Sequence, residues 1–342
     1  MSNNIYTKDA IILAPLSGFT DLPYRQSARR YGCVYAFTEM IDAGALVFGN
    51  QKTLKMTNRA ENEPWLGVQI VGKDHDTLKK AVKILNNYDF QVLDFNLGCP
   101  APKVVRKSEG AKLAENIPAA VEAFKVIADN SQIPVSAKIR ILSETDPEPT
   151  LELASKLEKA GAQAITIHGR LRKNFYAGNV FADIIKIIKN SLKIDVIANG
   201  GVQNYEDYIN LKNSSSCDKI MLARGAMGNP WIFSELTDIQ NWTPPSAPEM
   251  AQEIQTHILD MIEYYGLKLG LTISRKIILD YMSGRGFPRI LKTEVVKIQT
   301  INDLKSFTDK ISQGPSERYK IWLKTNPEQK RQITINNDLN SE

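Results

Sequence analysis

The 342-residue sequence predicts an α/β fold, a (β/α)8 TIM barrel followed by a small C-terminal helical domain. Three observations carry that expectation. Eight apolar runs of strand length recur along the first two thirds of the chain, most of them continuously apolar, as parallel strands covered on both faces require. Segments with helical spacing separate the runs, and such alternation closes into a barrel. No GxGxxG or phosphate-loop motif follows any run, which leaves a doubly wound open sheet without its usual signature.

The predicted strands are residues 11–16, 34–40, 66–71, 90–96, 135–140, 164–168, 195–199 and 219–223. Between the third and fourth, residues 74–88 place Leu78, Val82 and Leu85 on one helical face while Lys79, Lys80 and Lys83 point elsewhere. Residues 150–160 and 181–188 repeat the pattern. After Phe233 the rhythm changes: 241–248, Asn-Trp-Thr-Pro-Pro-Ser-Ala-Pro, reads as a linker. Beyond it Met250, Ile254, Ile258 and Ile262 recur at helical spacing, with further helices expected over 273–282, 290–298, 303–311 and 317–323. The expected division is therefore a catalytic barrel over 1–240, the linker over 241–248, a helical domain over 249–325 and a polar, disordered tail over 326–342.

Composition narrows the function classes. Cys33, Cys99 and Cys217 are widely spaced and form no CxxC, so neither a disulfide framework nor a thiolate zinc site is indicated. This usage suits a reducing cytoplasm. His75, His168 and His257 lie too far apart for a metal cluster by spacing, and no metal is expected. The polar first ten residues and the short apolar run that follows are unlike a signal peptide, and no run is long enough to span a membrane. A net charge of +5 permits a polyanionic partner without requiring one. After Pro244 there are 14 basic and 12 acidic residues, so charge alone does not single out the helical domain.

Polar residues collect where the strands end, the face on which barrel enzymes build active sites. Ser17-Gly18 follows strand one, Gln69 lies in strand three, and strand four delivers Asn96 and Cys99 into a Gly/Pro turn. Lys138 and Arg140 close strand five on one side of the chain, His168-Gly169-Arg170 ends strand six, Asn199-Gly200-Gly201 strand seven, and Arg224-Gly225 strand eight. Cys99 is either a small packed hydrophobe or a positioned thiol acid. Lys138 could form a Schiff base, set a positive charge beside an anion, or snorkel to the surface. His168 could be structural. The glycines after strands seven and eight suit either tight turns or the close approach of a phosphate, with Arg224 as a charged donor.

Taken together, these residues resemble the tRNA-dihydrouridine synthases, most closely their bacterial B-type branch. The resemblance rests on Ala14-Pro15-Leu16-Ser17-Gly18-Phe19-Thr20-Asp21, Asp94-Phe95-Asn96-Leu97-Gly98-Cys99-Pro100 and Lys138-Ile139-Arg140. It continues in His168-Gly169-Arg170, Ala198-Asn199-Gly200-Gly201 and Arg224-Gly225-Ala226-Met227-Gly228-Asn229-Pro230-Trp231, with Arg275-Lys276 and Tyr281 in the helical region. It implies FMN over the barrel mouth, its phosphate at Asn199, Gly200, Gly201, Ala223, Arg224 and Gly225. Pro15, Leu16 and Ser17 would lie along the ring system, Gln69 at its edge, Lys138 at the N1/O2 side and His168 as a further contact. NADPH would be the reductant and Cys99 the general acid that protonates C5 of a uracil. Asn96, Arg140 and Tyr176 would hold the base. Lys103, Arg106, Lys107, Arg275 and Lys276, with Arg285 and Arg289, would meet the tRNA backbone. The resemblance also implies a monomer.

Several positions depart from the family's usual wording. Leu16 stands where methionine is common, Leu171 where threonine is, Ala223 where glycine is and Lys276 where histidine is, while Ser108-Glu109 replaces a more glycine-rich stretch. None removes a group that the chemistry needs. The competing expectation is an FMN-dependent oxidoreductase acting on a free pyrimidine. The helical domain argues against it, because a free base needs no module to hold RNA. A Schiff-base aldolase would use Lys138 but leave Cys99 idle.

Overall fold

The computed structural model describes residues 5–61, 63–327 and 329, so most of the tail expected over 326–342 lies outside the described residues. Eight parallel strands close into one barrel in sequence order. They are β1 (Ile11–Leu13), β2 (Tyr35–Asp42), β3 (Leu66–Val71), β4 (Val92–Leu97), β5 (Val135–Arg140), β6 (Ala164–His168), β7 (Asp195–Asn199) and β8 (Lys219–Leu222). All eight predicted runs are strands. β1 is shorter than its run because Pro15 carries no N–H to donate and Leu16 N turns instead to Thr20 Oγ1 at 2.9 Å.

Each strand's alternation divides the barrel into an apolar lower part and a polar upper part. Ile12, Phe37, Val92, Ala164, Ile197 and Met221, from six strands, meet in one buried cluster. Gly67 makes room for it, since a Cβ there would lie 2.4 Å from the Phe37 ring. Two or four residues further along β4, β6 and β7, on the same side, come Asp94, Asn96, Thr166, His168 and Asn199; Gln69 lies two beyond Gly67 on β3, and Ser136 and Lys138 of β5 pair with Asp94 and Asn96. The chain thus fills the barrel with hydrocarbon below and keeps amides, a carboxylate and an amine for the C-terminal end.

Between the strands, helices form the outer layer. His75–Leu85 begins where Asp74 accepts a hydrogen bond from Thr77 N at 2.9 Å, and it buries Leu78, Ala81, Val82 and Leu85. It packs beside Ile117–Asn130, which in turn packs beside Glu148–Lys159. One irregularity bears on the mouth. β2 advances three residues from Phe37 to Met40 while β3 advances two, from Gly67 to Gln69, so a bulge lies at Thr38–Glu39.

The chain forms two compact units, and the division differs from a single cut in the proline-rich segment. The first holds residues up to 22, 33–202 and 206–223, hence every strand; the second holds 23–32, 203–205 and 224 onward. The helix Leu22–Arg30 therefore contributes nearly all its length to the second unit. Within that unit Ala247–Tyr265 opens with a reciprocal capping box between Ser246 and Glu249 and packs against Leu267–Met282 and Ile301–Ile311. Helices at Arg289–Glu294 and Glu317–Thr325 complete the expected set. Among the described residues no helix is long and apolar enough to cross a membrane, and none form a group of three or more His, Cys, Asp or Glu able to hold a metal.

Candidate active site at the barrel mouth

Cys99 stands one residue beyond the turn glycine that follows β4, partly exposed and free of any disulfide. Its backbone N–H donates to Asn96 Oδ1 at 2.9 Å, and Gly98 N donates to the same oxygen at 3.1 Å. The turn is closed from the other side by Arg140, whose Nε donates to Gly98 O at 2.8 Å, and by Ala111 N, which donates to Cys99 O at 3.1 Å. Gly110 is required at that contact: its φ is +58° and a Cβ would come 3.0 Å from Cys99 O. Burial pushes the thiol above its ordinary pKa, against the opposing pull of the Ala101 N–H and of the Arg140 and Lys138 charges. Such a thiol holds its proton at neutral pH, as a general acid must.

Asn96 belongs to a longer hydrogen-bonded chain. Its Nδ2 donates to Gln69 Oε1 at 2.7 Å, and Gln69 Nε2 donates to Asp94 Oδ2 at 2.7 Å. Ser136 Oγ donates to Asp94 Oδ1 at 2.6 Å. Burial raises the Asp94 carboxyl to about 6, although Ser136, Gln69 and the Lys138 charge all pull it down.

Lys138 Nζ donates to Asn199 Oδ1 at 2.8 Å. β5 and β7 are not neighbours in the sheet, so this bond crosses the barrel interior and places both side chains in its lumen. Asn199 is oriented in turn by donating to Met221 O at 2.7 Å. Burial, helped by the nearby Arg140 charge, lowers the Lys138 amine to about 7, with Asp94 and Cys99 acting in the opposite sense.

Arg140 is buried, with Nη1 donating to Leu171 O at 3.2 Å and Phe175 O at 2.7 Å. Its guanidinium lies 5.6 Å from the Tyr176 ring centroid, while that ring is itself half exposed. A charged planar donor and an exposed aromatic face therefore sit side by side. Arg172, from the same β6 loop, is tied to Glu115 at 2.6 Å.

The β7 end is shaped for close approach. Gly200 has φ +130° and a Cβ there would meet the His168 ring at 3.0 Å; Gly201 has φ +83°. His168 is buried, and its Nε2 faces Arg170 Nη1 at 3.3 Å. After β1, Pro15 and Leu16 are half buried and Ser17 is exposed. Gly18 N donates to Glu39 of the β2 bulge. Ala223 follows β8 and packs on the barrel's apolar cluster. Arg224 and Gly225 begin the next turn in the chain, as part of the second unit.

The structure thus links Gln69, Asn96, Cys99, Arg140 and Tyr176 through successive contacts in the barrel unit, and pairs Lys138 with Asn199 in its lumen. It also supplies residues that sequence reading gave no role: Asp94 and Ser136 beneath the amides, Glu39 behind the β1 turn, and Arg170 beside His168. Among the expected RNA-facing cations, Lys103 and Arg106 are exposed on the turn after Cys99, whereas Lys107 is paired to Asp42 at 2.5 Å. In the helical unit Lys276 is exposed and Arg275 is half buried. Arg285 is a correction. It is 1 % exposed, donates to Gly228 O, Tyr281 O and Asn229 Oδ1, and lies over Trp231, so it holds the unit together and does not face RNA. Ser108 keeps φ +60°, a left-handed value where the family's glycine would be at ease.

A strand-end thiol, an interior lysine and a glycine cradle on a closed barrel define the kind of site that a flavin-using barrel reductase needs. The Dihydrouridine synthase family model matches residues 12–314, and the chain belongs to that family. A probable tRNA-dihydrouridine synthase of Rickettsia conorii is 34% identical over 286 residues, 82% of this chain and 86% of its own. tRNA-dihydrouridine synthase B of Pasteurella multocida is 34% identical over 281 residues, covering 81% of this chain and 85% of the relative. The same enzyme of Vibrio cholerae is 31% identical over 320 residues, 90% and 98% of the two chains.

Proposed function

We propose that this protein reduces the C5–C6 double bond of uridines in tRNA to 5,6-dihydrouridine, with FMN as bound cofactor and NADPH as reductant. Membership of the dihydrouridine synthase family gives the reaction class, and the arrangement around Cys99 is the observation that carries the assignment of roles. When bound, reduced FMN supplies the hydride taken up at C6 of the uracil.

The chain's own residues supply the rest. Hydride arrival at C6 leaves enolate character at C5–C4, and Cys99 delivers the proton to C5. The thiol is well matched, being held protonated by burial and fixed in position by Asn96 and Arg140. Arg140 and Asn96 orient the base through its polar edge, with Tyr176 as a face for it to lie on. Lys138 is kept close to neutrality by its surroundings and becomes fully cationic beside an anion, which suits it to stabilise a reduced, anionic ring. Pro15, Leu16 and Ser17 would line the ring system, with His168 a further contact. Gln69 is committed to Asp94 and Asn96 but keeps a second amide N–H for the ring's edge. The phosphate would lie on Asn199, Gly200 and Gly201, with Ala223, Arg224 and Gly225 next in the chain after β8 as its further donors. Neither glycine carries a side chain of its own over its backbone N–H, and a Cβ at either would press on Val180.

A uridine in a folded tRNA must leave its stack to reach such a mouth, at a cost of a few kcal/mol. Exposed Lys103 and Arg106, together with Lys107, Arg275 and Lys276, are the cations we assign to the tRNA backbone. A tRNA substrate and three free cysteines support a cytoplasmic reading, and we read the enzyme as a monomer.

The test is direct. Purified protein should carry a flavin absorbance identified as FMN by mass, and should convert uridine to dihydrouridine in tRNA from a strain lacking the modification. Protein that neither retains nor takes up FMN would sink the reading. Binding of tRNA should weaken steeply with salt as phosphate counterions are released.

A further inference from the structure

We propose that Asp94, which the function above leaves without a role, is a positioning residue that sets the polarity of an amide relay ending on the backbone of Cys99. The relay has three links: Asp94 Oδ2 accepts from Gln69 Nε2, Gln69 Oε1 accepts from Asn96 Nδ2, and Asn96 Oδ1 accepts from Cys99 N, at 2.7, 2.7 and 2.9 Å.

An amide side chain can face either way, and each flip exchanges a donor for an acceptor. Here both ends forbid the flip. A backbone N–H can only donate, so it fixes the oxygen of Asn96 toward Cys99 and its nitrogen toward Gln69. A carboxylate can only accept, so it fixes the nitrogen of Gln69 toward Asp94 and its oxygen toward Asn96. Ser136 Oγ fills the other carboxylate oxygen at 2.6 Å, leaving Asp94 committed to this task. Asp94, Gln69 and Asn96 are 1 %, 0 % and 7 % exposed, so water cannot readily substitute for a lost partner. Without an acceptor at position 94, Gln69 and Asn96 lose their unique orientation, and the Asn96 oxygen that holds the thiol's turn is no longer fixed.

This inference rests on Cys99 being the proton donor of the proposed reaction, so its test uses turnover and one readout independent of turnover. In the FMN-loaded enzyme, Asp94→Leu should lower kcat on tRNA about thirtyfold while the KM for tRNA changes less than threefold, since sub-ångström misplacement of a reacting group falls on the chemical step. The same variant should speed alkylation of Cys99 by iodoacetamide, followed on its own peptide by mass spectrometry, about tenfold as the thiol loosens toward water. Asp94→Asn should stay within threefold of wild type in both, because Asn can still offer Oδ1 to Gln69 and Nδ2 to Ser136.

Wild-type kcat and alkylation in Asp94→Leu would overturn the proposal, as would an Asp94→Asn variant as impaired as the leucine. Should Asp94→Leu not fold, the transposed pair decides. Asn96→Asp alone sets two acceptors against Gln69, whereas Asp94→Asn with Asn96→Asp lets the whole relay reverse. Return of the alkylation rate to near wild type in the double variant supports the relay; the same rate as Asn96→Asp alone refutes it. Failure of the wild type to modify tRNA would sink the proposed function while leaving the alkylation arm readable.

Discussion

Two buried polar networks in this chain look alike in composition, and burial pushes the groups of both toward their neutral forms, but it leaves them at different distances from working pH. In the barrel, burial lifts Asp94 to about 6 and lowers Lys138 to about 7, so both move toward neutrality. In the helical unit Glu253 accepts from Ser27 Oγ at 2.6 Å, Arg30 Nη2 at 2.8 Å and Tyr31 OH at 3.1 Å, and Tyr281 OH contacts both Ser27 and His257. There burial, aided by the Arg30 charge, drives His257 down to about 3, while burial and Glu253 drive Tyr281 far upward. His257 and Tyr281 in the second network are pinned in one protonation state and do architectural work. In the first, Lys138 can change state at working pH, which is what chemistry requires. A cluster of buried polar residues is therefore weak evidence of a site, and groups left titrating near working pH are better evidence.

The largest break in this comparison should come from Cys99→Ala. We expect uridine reduction to fall by about 10²–10⁴-fold, the usual worth of a positioned acid, with flavin binding retained. Because burial raises the thiol, the wild-type rate should stay level through neutral pH and decline only beyond the ordinary thiol range, where the acid is lost. A Cys99→Ala enzyme with unimpaired turnover would remove the distinction between the two networks at its root.

The next largest effect should appear in stability alone. Glu253→Ala leaves Arg30, Ser27 and Tyr31 without their shared acceptor, and breaking a buried ionic network by removing one partner costs about 3–5 kcal/mol. Thermal melting should show it as a drop of several degrees. A change of less than a degree would mean that the helical network is not structural.

How much of this was legible beforehand follows from the physics of each feature. The eight strands were, because parallel strands buried on both faces must be continuously apolar, and the bounds of β5 to β7 fell where the runs lay. The mouth residues were also legible: Lys138 and Arg140 share a side of one strand, and Asn96 and Cys99 end another. The helix Leu22–Arg30 was not. Its buried face is Pro23, Tyr24, Arg25, Ser27 and Ala28, which carries almost no apolar periodicity, because its partners are the carboxylate and phenol of the helical unit. Arg285 misled for the same reason, since an arginine looks surface-bound until Gly228, Tyr281 and Asn229 are seen to take its donors. The role of Asp94 depends on which way two amides face, and only the partners at both ends decide that.

The smallest predicted change in stability is also the most specific, and it concerns Lys138. An amine lowered from 10.5 to about 7 in the fold binds its proton less tightly than in the unfolded chain. Below pH 7 the lysine is charged in both states, and folding bears the whole cost of burying that charge. As pH rises from 7 toward 10.5 the folded form is already neutral while the unfolded form is still losing its proton, so the cost fades; above 10.5 it is gone. Lys138→Met should therefore be more stable than wild type at pH 6, by about 2 kcal/mol once the lost bond to Asn199 is allowed for, and the advantage should shrink steadily toward pH 10. The same variant should lose most uridine reduction. That outcome would show the barrel keeping a destabilising residue because the site needs it. A variant less stable than wild type at pH 6, with no trend as pH rises, would show instead that Lys138 belongs with Glu253 and His257 among the residues that merely hold the fold.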